Sequence, residues 1–456
     1  METYQELLDS QRDFFNSNAT KSISFRKEQM KKLLHILKSN EKALDEAIYA
    51  DFKKSAFENF ATELSLLYSE LKHSIRKVGS WSSKKYVGTN LANLPGSSYI
   101  IPEPLGNTLI IGAWNYPYLL SIHPAISAMA AGNTVIIKPS ELALNTSHLM
   151  AKLINENFDS KYFHVVEGGI EETTSLLKQK FDKIFYTGSS PVGKIMMRAA
   201  AEHLTPVTLE LGGKSPAIVT KGASIKMAAK RLVWGKFLNG GQTCVAPDYL
   251  MVDKSVKSQL ITEIKKQITE IHGEDPEKSE AIVRIINPRH FKRLTQLIDP
   301  DKVIVGGQTN EAELYIAPTL MDQVSWDDAV MQEEIFGPIL PILEYEDLDE
   351  AIAKIKSHPK PLALYLFTNK RSIRDKIFHE ISFGGGALNE TIMHLANPNL
   401  PFGGVGNSGT GSYHGEYGFK DFSHYKSIIQ KPNWFEPFIK YAPYNTFKLS
   451  ILRKLM

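Results

Sequence analysis

The hydrophobic pattern changes twice along the chain, and each change marks a different kind of structure. Over residues 1 to 75, apolar positions recur at i, i+3 and i+4, which predicts a series of amphipathic helices. Residues 80–104 lose this period, which predicts an extended, partly exposed arm or linker. From residue 105 onward, short apolar runs alternate with helical patterns.

The alternating region predicts a parallel sheet. Helical patterns follow four apolar runs, which read NTLIIGAW, NTVIIKPS, YFHVVEGG and KIFYTGSS. Such alternation is typical of βαβ units, whose sheet is covered by helices on both faces and binds ligands beyond the carboxyl ends of its strands. The first of these helices is expected at HPAISAMAAG, ending at Gly132. The alternation resumes after Glu210 and predicts a second α/β domain.

The composition fits a protein with a large hydrophobic core. The 456 residues are 43% hydrophobic and 23% charged, which is ordinary for globular proteins. The net charge of +3 is mild and dispersed, so we expect no nucleic-acid partner. No apolar run reaches the roughly 18 residues of a membrane span. Because the chain also begins without an apolar signal core, we expect a cytoplasmic protein.

The single cysteine, Cys244, lies in the stretch GGQTCVAP. It cannot form an internal disulfide, and two interpretations remain. A free cysteine is often a buried and inert side chain. It is a nucleophile where backbone dipoles or nearby positive charge favour the thiolate. In that case Gly240 and Gly241 would let a substrate come close to the backbone.

Two polar residues near strand ends are candidates for chemistry around such a nucleophile. Glu210 lies between leucines in TLELGGKSP, where a carboxylate is costly unless it is paired or functional. If buried, it would have a raised pKa suited to a general base, and at a sheet edge it would simply be exposed. Asn115 follows the run NTLIIGAW, where its amide is either an oxyanion donor or a turn residue before Pro117.

Three further stretches indicate a nucleotide site, although each also fits an ordinary turn. In FYTGSSPVG, Gly188 and Gly193 lie between a strand and a helix, where backbone N–H groups can hold a phosphate. In VIIKPSE, Lys138 and Glu141 follow a buried strand, where a carboxylate can accept hydrogen bonds from ribose hydroxyls. The stretch QEEIFGPILP offers a carboxylate for a second ribose and a phenyl ring to back a flat cofactor, or else only a solvated helix start.

Together these stretches resemble the aldehyde dehydrogenase superfamily, in the same order and over almost the whole chain. The resemblance rests on WNYP, KPSE, YTGSSPVG, LELGGKSP, GGQTCVAP, EEIFGP and PFGGVGNSGTGSYHGEYGF. The chain is most similar to class 3 members, which include fatty and aromatic aldehyde dehydrogenases. The resemblance implies an α/β fold with two parallel-sheet domains, a Rossmann-like cofactor domain and a catalytic domain, and a small β oligomerisation arm.

The resemblance implies catalytic roles for three of these residues. Cys244 would attack the aldehyde carbon, and the Asn115 side chain and the Cys244 backbone N–H would hold the oxyanion. Oxidation by a nicotinamide cofactor would leave a thioester on the sulfur. Glu210 would activate the water that hydrolyses this thioester to the carboxylic acid.

The resemblance also implies how NAD is bound. The residues expected to contact the cofactor are Lys138, Glu141, Gly188, Ser189, Gly193, Glu334 and Phe336. The first two would meet the adenine ribose, the next three the pyrophosphate, and the last two the nicotinamide end. Because Glu141 would repel a 2′-phosphate, we expect NAD to be preferred and NADP also to be accepted.

The resemblance divides the chain into domains and an arm, and it implies a homodimer held by the arm. The expected parts are an NAD(P)-binding domain (residues 1–79 and 105–210), a catalytic domain (211–404), the oligomerisation arm (80–104 and 405–430) and a C-terminal tail (431–456). In the tail, Phe447, Ile451 and Leu455 share one helical face with basic residues nearby. We expect this helix either to pack on its own domain or to make weak contact with a membrane surface.

Alternative functions remain open at the level of sequence. A CoA-acylating aldehyde dehydrogenase would pass the acyl group to CoA, but such members generally lack the glutamate found here as Glu210. A cysteine hydrolase without cofactor would need a base such as histidine near Cys244. A non-catalytic protein that kept the fold would not need the full set of candidates.

We expect the substrate to be a medium-chain, long-chain or aromatic aldehyde that is bordered by residues 388–404. We expect no metal, because the sequence has no HExxH motif and no cysteine cluster.

Overall fold

The computed structural model describes residues 4–455. Its α-helices are α1 (Gln5–Asn16), α2 (Ile23–Ser39), α3 (Glu41–Phe52), α4 (Ala56–Asn59), α5 (Ser65–Trp81), α6 (Pro117–Ala131), α7 (Leu144–Asn155), α8 (Ile170–Leu177), α9 (Ser190–Ala201), α10 (Ile225–Phe237), α11 (Lys254–His272), α12 (Pro288–Thr295), α13 (Ala329–Gln332), α14 (Leu348–Lys356), α15 (Arg371–Glu380), α16 (Gly415–Asp421) and α17 (Thr446–Leu455). A π-helical turn, Phe60–Leu64, joins α4 to α5.

The strands form three principal sheets. They are β1 (Lys85–Val87), β2 (Ser97–Pro104), β3 (Asn107–Ile111), β4 (Thr134–Lys138), β5 (Phe163–Val165), β6 (Lys183–Gly188), β7 (Val207–Leu211), β8 (Pro216–Val219), β9 (Tyr249–Asp253), β10 (Val303–Val305), β11 (Thr309–Asn310), β12 (Tyr315–Ile316), β13 (Thr319–Met321), β14 (Ile339–Tyr345), β15 (Ala363–Phe367), β16 (Gly385–Leu388), β17 (Gly409–Thr410) and β18 (Ser423–Gln430).

The first sheet has the strand order β17-β7-β6-β3-β4-β5. Its strands run parallel except β17, which pairs antiparallel with β7. Alternate residues of each strand enter different cores, because side chains along a strand point to opposite faces. Ile110 packs in the core that contains α6, whereas Leu109 and Ile111 pack in a core with Leu8 of α1 and Met196 of α9. Burial on both faces explains why these strands are continuously apolar.

The second sheet has the order β10-β13-β14-β9-β8-β15-β16 and is parallel apart from β10. One face shares the large core that contains α6, since Val219 and Leu250 lie in the same cluster as Ile110. The other face packs residues such as Ile218 and Met251 in a separate core. The two parallel-sheet units are therefore joined by continuous hydrophobic packing, and the predicted fold class is confirmed.

A third, antiparallel sheet of order β1-β2-β18 lies apart from these units. β2 and β18 pair along eight residues each, from Ser97 opposite Gln430 to Pro104 opposite Ser423. The segments 80–104 and 405–430, which sequence reasoning grouped as one arm, thus contribute strands to one sheet. The role of this sheet in oligomerisation and the boundaries of the domains remain predictions.

Helix α6 differs from the sequence prediction at its start. It begins at Pro117, six residues before His123, where the sequence places the first residue of this helix. Proline is well suited to the first turn of a helix, because the N–H it lacks has no intrahelical partner there. The predicted end is right, since Gly132 terminates the helix in a left-handed conformation with φ of 98°.

The C-terminal tail ends in α17, which displays exposed Phe447 and Leu449. The structure does not describe residues 1–3 and 456, where the predicted NAD(P)-binding domain begins and the predicted tail ends. The side chain of Leu455 also lies outside the described part of the chain. Within residues 4–455, every helix is too short or too polar to cross a membrane.

Candidate active site

Cys244 lies in the loop between α10 and β9, where it forms part of the wall of a large cavity. The loop turns sharply because Asn239, Gly240 and Gly241 all have positive φ. A Cβ at Gly241 would collide with the carbonyl of Gly337, so only glycine fits there. The two glycines thus serve the packing of the protein's own backbone, whereas the sequence led us to expect that they make room for a substrate.

The Cys244 thiol is unpaired and partly exposed toward this cavity. Burial raises its pKa to about 12, and the nearby carboxylates of Glu334 and Glu210 contribute to the same shift. Because the thiolate is the nucleophilic form, the sulfur needs a proton acceptor or additional positive charge to react. Both carboxylates are therefore within electrostatic range of the sulfur.

The cavity measures about 600 Å³, and we call it the apolar cavity. Its wall is formed mostly by hydrophobic side chains, which include Leu66, Leu119, Leu120, Val233, Trp234, Phe237, Leu238, Ile271, Ile392, Met393, Leu395 and Phe402. The last four belong to the 388–404 segment that the sequence placed beside the substrate. A few polar groups, Glu58, Glu70, His123 and His414 among them, interrupt the apolar wall.

Glu210 lies on β7 and is almost completely buried, with 3% of its surface exposed. Neither carboxylate oxygen has a hydrogen-bond partner among the described residues. Burial, and secondarily the charge of Asp421, raises the pKa of Glu210 well above its ordinary value. An unpaired buried carboxylate is costly, and such a group beside a reactive thiol is suited to accept and release a proton.

Asn115 follows β3 and is buried against the loop that carries Cys244. Its Nδ2 donates to the carbonyl of Gln242 over 3.0 Å, and its own carbonyl accepts from Asn239 Nδ2 over 2.9 Å. The structure therefore brings together three residues that sequence reasoning chose from distant segments, namely Asn115, Glu210 and Cys244. An amide beside the sulfur can stabilise negative charge on an oxygen bonded to the attacked carbon.

Lys138 and Glu141 lie together at the carboxyl end of β4. Lys138 Nζ donates to Glu141 Oε2 over 3.2 Å and to the carbonyl of Gly168 over 2.6 Å. The lysine is buried, which lowers its pKa, whereas the glutamate side chain is 48% exposed. The exposed carboxylate is thus the group of this pair that can reach a ligand.

Gly188, Ser189 and Gly193 form the turn from β6 into α9. Gly188 has φ of 158°, and a Cβ there would collide with the Tyr186 hydroxyl. A Cβ on Gly193 would lie 2.9 Å from Leu211, so glycine lets the helix pack closely on β7. Ser189 is the N-cap of α9, whose first N–H groups have no intrahelical partner and can face an anion. We call the positions of Lys138, Glu141, Gly188, Ser189 and Gly193 the carboxyl edge.

Glu334 and Phe336 reach the site from the loop after α13. The Glu334 carboxylate packs against Gly212, where a Cβ would collide with it. Burial, and then the charge of Asp248, raises the pKa of Glu334 to about 8. Phe336 has φ of 52°, and its ring lies 5.4 Å from that of Trp114, beside Asn115. The second unit thus places Phe336 against the segment that follows β3 and Glu334 against the segment that follows β7.

Sequence reasoning missed the residues that hold this loop. Lys214 Nζ donates to Asp248 Oδ2 over 2.5 Å and to the backbone carbonyl of Glu333 over 2.9 Å. Asp248 Oδ1 accepts from the N–H of Ile335 over 2.9 Å. The only sequence signals were the positions of Lys214 and Asp248, just after LELGG and TCVAP.

The geometry as a whole combines a thiol on the wall of an apolar cavity, a buried carboxylate whose charge acts on that thiol, and an amide bound to the thiol's own loop. A glycine-rich helix start lies on the same sheet as the carboxylate. Within residues 4–455 no group of three His, Cys, Asp or Glu side chains is arranged to hold a metal ion.

Comparison with known proteins agrees with this geometry. The model of the aldehyde dehydrogenase family matches residues 2–428. The chain is 51% identical over 442 residues to the 4,4'-diaponeurosporen-aldehyde dehydrogenase of Staphylococcus aureus, with 96% of each protein covered. It is 45% identical over 431 residues to the dimeric NADP-preferring aldehyde dehydrogenase of Rattus norvegicus, covering 94% of this chain and 95% of that one.

Solved structures give the same result. A substrate-bound state of AldH from Staphylococcus aureus is similar with a TM-score of 0.97 and 49% identity, covering 100% of this chain and 99% of that one. A Mycobacterium tuberculosis aldehyde dehydrogenase complexed with NAD+ is similar with a TM-score of 0.85 and 25% identity, covering 96% and 92%.

Proposed function

The chain belongs to the aldehyde dehydrogenase family, and we propose that Cys244 is the nucleophile with which it oxidises an aldehyde to the carboxylic acid. One observation carries the assignment of the residues. Neither oxygen of the buried Glu210 carboxylate has a partner among the described residues, and its charge acts on a thiol that faces an apolar cavity. A structural glutamate would be expected to have an ion-pair or hydrogen-bond partner.

The first step joins the sulfur to the aldehyde carbon. The Cys244 thiol gives its proton to solvent water, a transfer that Glu210 assists but that does not require it, so the carboxylate remains unprotonated for the second step. The carbonyl oxygen becomes an oxyanion as the S–C bond forms. Asn115 Nδ2 carries two hydrogens, of which one is donated to Gln242, so the second is free for this oxyanion.

The second step is hydrolysis. The adduct of the first step is a thiohemiacetal. A bound nicotinamide would supply the two-electron acceptor that is needed to oxidise this adduct to a thioester. Glu210 then takes a proton from water as the water oxygen attacks the thioester carbon. The C–S bond breaks, the acid leaves, and the sulfur regains its proton.

The residues of the carboxyl edge fit a dinucleotide. The start of α9 after Gly188 supplies unpaired N–H groups for a pyrophosphate, and the exposed oxygens of Glu141 supply acceptors for ribose hydroxyls. At the other end, Glu334 would hold the nicotinamide ribose, and Phe336 would lie against that end of the cofactor. The family uses NAD or NADP.

We propose that this enzyme prefers NAD and accepts NADP less well. The negative charge of Glu141 disfavours a 2′-phosphate, and Lys138 is already engaged by Glu141 and a backbone carbonyl. The rat relative is named NADP-preferring, so the comparison of kcat/KM for the two cofactors is a direct test.

The substrate is proposed to be a medium-chain, long-chain or aromatic aldehyde. The apolar cavity is lined in part by Cys244 and offers hydrophobic contact to a chain attached to the reacting carbon. The Staphylococcus aureus relative is named for 4,4'-diaponeurosporen-aldehyde. Activity on a series of aldehydes of increasing length should rise with length, and activity confined to short polar aldehydes would contradict the proposal.

We further propose a homodimer formed through the β1-β2-β18 sheet. β18 is an edge strand with one free side, and such an edge can extend into a second copy. The rat relative is named dimeric. Sedimentation at several concentrations should give a mass of two chains, and a stable monomer would contradict it.

The exposed aromatic residues and lysines of segment 431–455 support the weak membrane contact, which co-sedimentation with anionic vesicles tests. A variant that ends at residue 430 should lose this binding but keep its activity. A cytoplasmic location remains our expectation.

Product analysis separates this reaction from its relatives. With aldehyde and NAD alone, the enzyme should release the free acid and NADH in equal amounts. A requirement for CoA, with acyl-CoA as product, would indicate the CoA-acylating reaction. Turnover of an ester without NAD(P), combined with no oxidation of aldehydes, would indicate a cysteine hydrolase.

A further inference from the structure

A group of buried charged side chains in the N-terminal helices lies behind the active site. Lys54 and Glu63 are both fully buried, and they form an ion pair of 2.8 Å. Glu58 is also buried and contributes to the wall of the apolar cavity. Buried charges need close partners, and beyond the ion pair itself the contacts of these three residues reach the segment after Asn115 and the turn before Cys244.

A π-helical turn, Phe60–Leu64, follows the helix that carries Glu58 and itself contains Glu63. In a regular α-helix, residues five apart are separated by about 140° around the axis. The wider turn reduces this angle, so that Glu58 and Glu63 both point inward. π-Helical turns often occur where a helix adapts to a functional site.

Glu63 and Lys54 hold the chain that follows Asn115. Glu63 Oε2 accepts from the N–H groups of Tyr118 and Leu119 over 2.9 and 3.0 Å, at the start of α6. Lys54 Nζ lies 4.1 Å from the ring centroid of Tyr116, within the range of a cation–π contact.

The Tyr116 side chain extends this chain of contacts to the nucleophile loop. Its hydroxyl is 2.6 Å from Thr243 Oγ1, and Thr243 precedes Cys244. The ion pair is thus connected through one aromatic ring to the residue beside the sulfur.

Glu58 makes the more direct connection. Its Oε1 accepts from the backbone N–H of Asn239 over 2.7 Å. Asn239 Nδ2 in turn donates to the carbonyls of Asn115 and Gln242 over 2.9 and 3.1 Å. Asn239 has φ of 54°, a left-handed conformation that a non-glycine residue adopts only when its surroundings fix it.

We propose that Glu58 is a positioning residue for aldehyde oxidation, which acts through Asn239 to fix the Asn115 amide relative to Cys244. This inference rests on the proposed function, because it assumes that the Asn115 amide stabilises the oxyanion. Glu58 contributes a side-chain acceptor for the backbone N–H of Asn239 and does not itself contact the reacting atoms.

The expected effect follows from the geometry of the contact. Without the Glu58 acceptor, the buried N–H of Asn239 has no partner, and the left-handed turn can relax. Displacement of an oxyanion donor by about 1 Å can cost on the order of 100-fold in rate. We expect a loss of about tenfold or more in the rate of the first NADH burst, with little change in the KM for NAD.

Three variants of the full-length enzyme test this. Glu58→Gln keeps an acceptor oxygen and should lower the burst rate by less than about threefold. Glu58→Leu removes the acceptor and should lower it about tenfold or more. Asn239→Gly tolerates the left-handed backbone, keeps the N–H and removes only the side-chain amide, so it should lose as much as Glu58→Leu.

Chain length of the aldehyde separates positioning from a role in the cavity wall. If Glu58 acts at the oxyanion site, the loss in burst rate is the same for short and long aldehydes. An increase in KM for long aldehydes alone, with the burst rate unchanged, would overturn the proposal.

Asp51→Ala is the matched control. Asp51 lies in the same helical region and accepts from the N–H groups of Asn145 and Thr146 over 2.9 Å each, away from the site. This variant should lower the unfolding temperature and leave the burst rate unchanged. If it slows the burst as much as Glu58→Leu does, the effect is general destabilisation and the proposal is wrong.

Cys244→Ala, measured in parallel, distinguishes a failure of the proposed function from a failure of the positioning role of Glu58. If Cys244→Ala still forms NADH, the proposed function fails whatever the Glu58 variants do. If Cys244→Ala is inactive and Glu58→Leu has the wild-type burst rate, only the positioning role fails.

Discussion

The carboxyl edge and the apolar cavity differ in how their polar groups are satisfied. At the carboxyl edge, Lys138 is paired with Glu141 and a backbone carbonyl. Around Cys244, which lines the cavity, the buried Glu210 carboxylate has no partner within residues 4–455, and the pKa of the thiol is raised to about 12. The first arrangement suits binding, in which a ligand meets groups already held in place. The second suits chemistry, in which protons and electron pairs move.

The largest expected effect removes the nucleophile. Cys244→Ala should lower aldehyde-dependent NADH formation by about 10,000-fold or more, because no covalent adduct can form. NAD binding, measured by fluorescence titration, should be unchanged, since the carboxyl edge is intact. Turnover close to wild type would show that Cys244 is not the nucleophile and that the chemistry does not take place beside the apolar cavity.

A smaller loss is expected from the oxyanion donor. Asn115→Ala should lower the rate of the NADH burst by about 100-fold, the usual cost of one such donor. Asn155→Ala is a suitable control, since its side chain bridges the N–H and carbonyl of Val165 far from Cys244. It should leave the burst unaffected. Equal losses in the two variants would argue against a specific role for Asn115.

The carboxyl edge can be changed without touching the chemistry. Glu141→Gln removes one negative charge and should raise the ratio of kcat/KM for NADP to that for NAD by about tenfold. Glu171→Gln, which removes an exposed charge from α8, should not change this ratio. If Glu141→Gln instead slowed both cofactors equally, Glu141 would bind a group common to both.

The smallest effect is a pH-dependent change in the free energy of unfolding, which we expect from the buried carboxylate of Glu210. The pKa of Glu210 is raised above the ordinary 4.5, so its favourable contribution to folding is complete below that pH and is lost as the pH rises toward the folded-state pKa. Glu210→Gln should therefore be more stable than wild type by about 1–2 kcal/mol at pH 8, with little difference near pH 4.5. Chemical unfolding at both pH values measures this, and a wild type that is the more stable at pH 8 would contradict it.

Local features of the fold and site were predictable from the sequence. The turn around Gly188 and the end of α6 at Gly132 depend on single glycines and their neighbours. The apolar neighbours of Glu210 predicted a strand, but they left open whether its carboxylate is buried or exposed at a sheet edge. The start of α6 was misplaced, because Pro117 was taken to interrupt structure whereas it begins a helix.

Features formed by distant segments were not predictable in this way. The sequence signalled Asn115 and Cys244 separately, but only the fold brings them to a shared carbonyl at Gln242. The anchors Lys214 and Asp248 and the buried pair of Lys54 and Glu63 gave no pattern, since each is defined by its partner. Resemblance to a family supplied the roles that spacing alone could not.

The most direct test of the central claim is a trapping experiment with Glu210→Gln, aldehyde and NAD. We expect a rapid burst of about one NADH per subunit, followed by turnover on the order of 100-fold or more slower than wild type. Intact-protein mass spectrometry after the burst should show one acyl group, and peptide mapping should place it on Cys244, the only cysteine in the chain. A burst without an acyl group on Cys244, or an acyl group on another residue, would contradict the account.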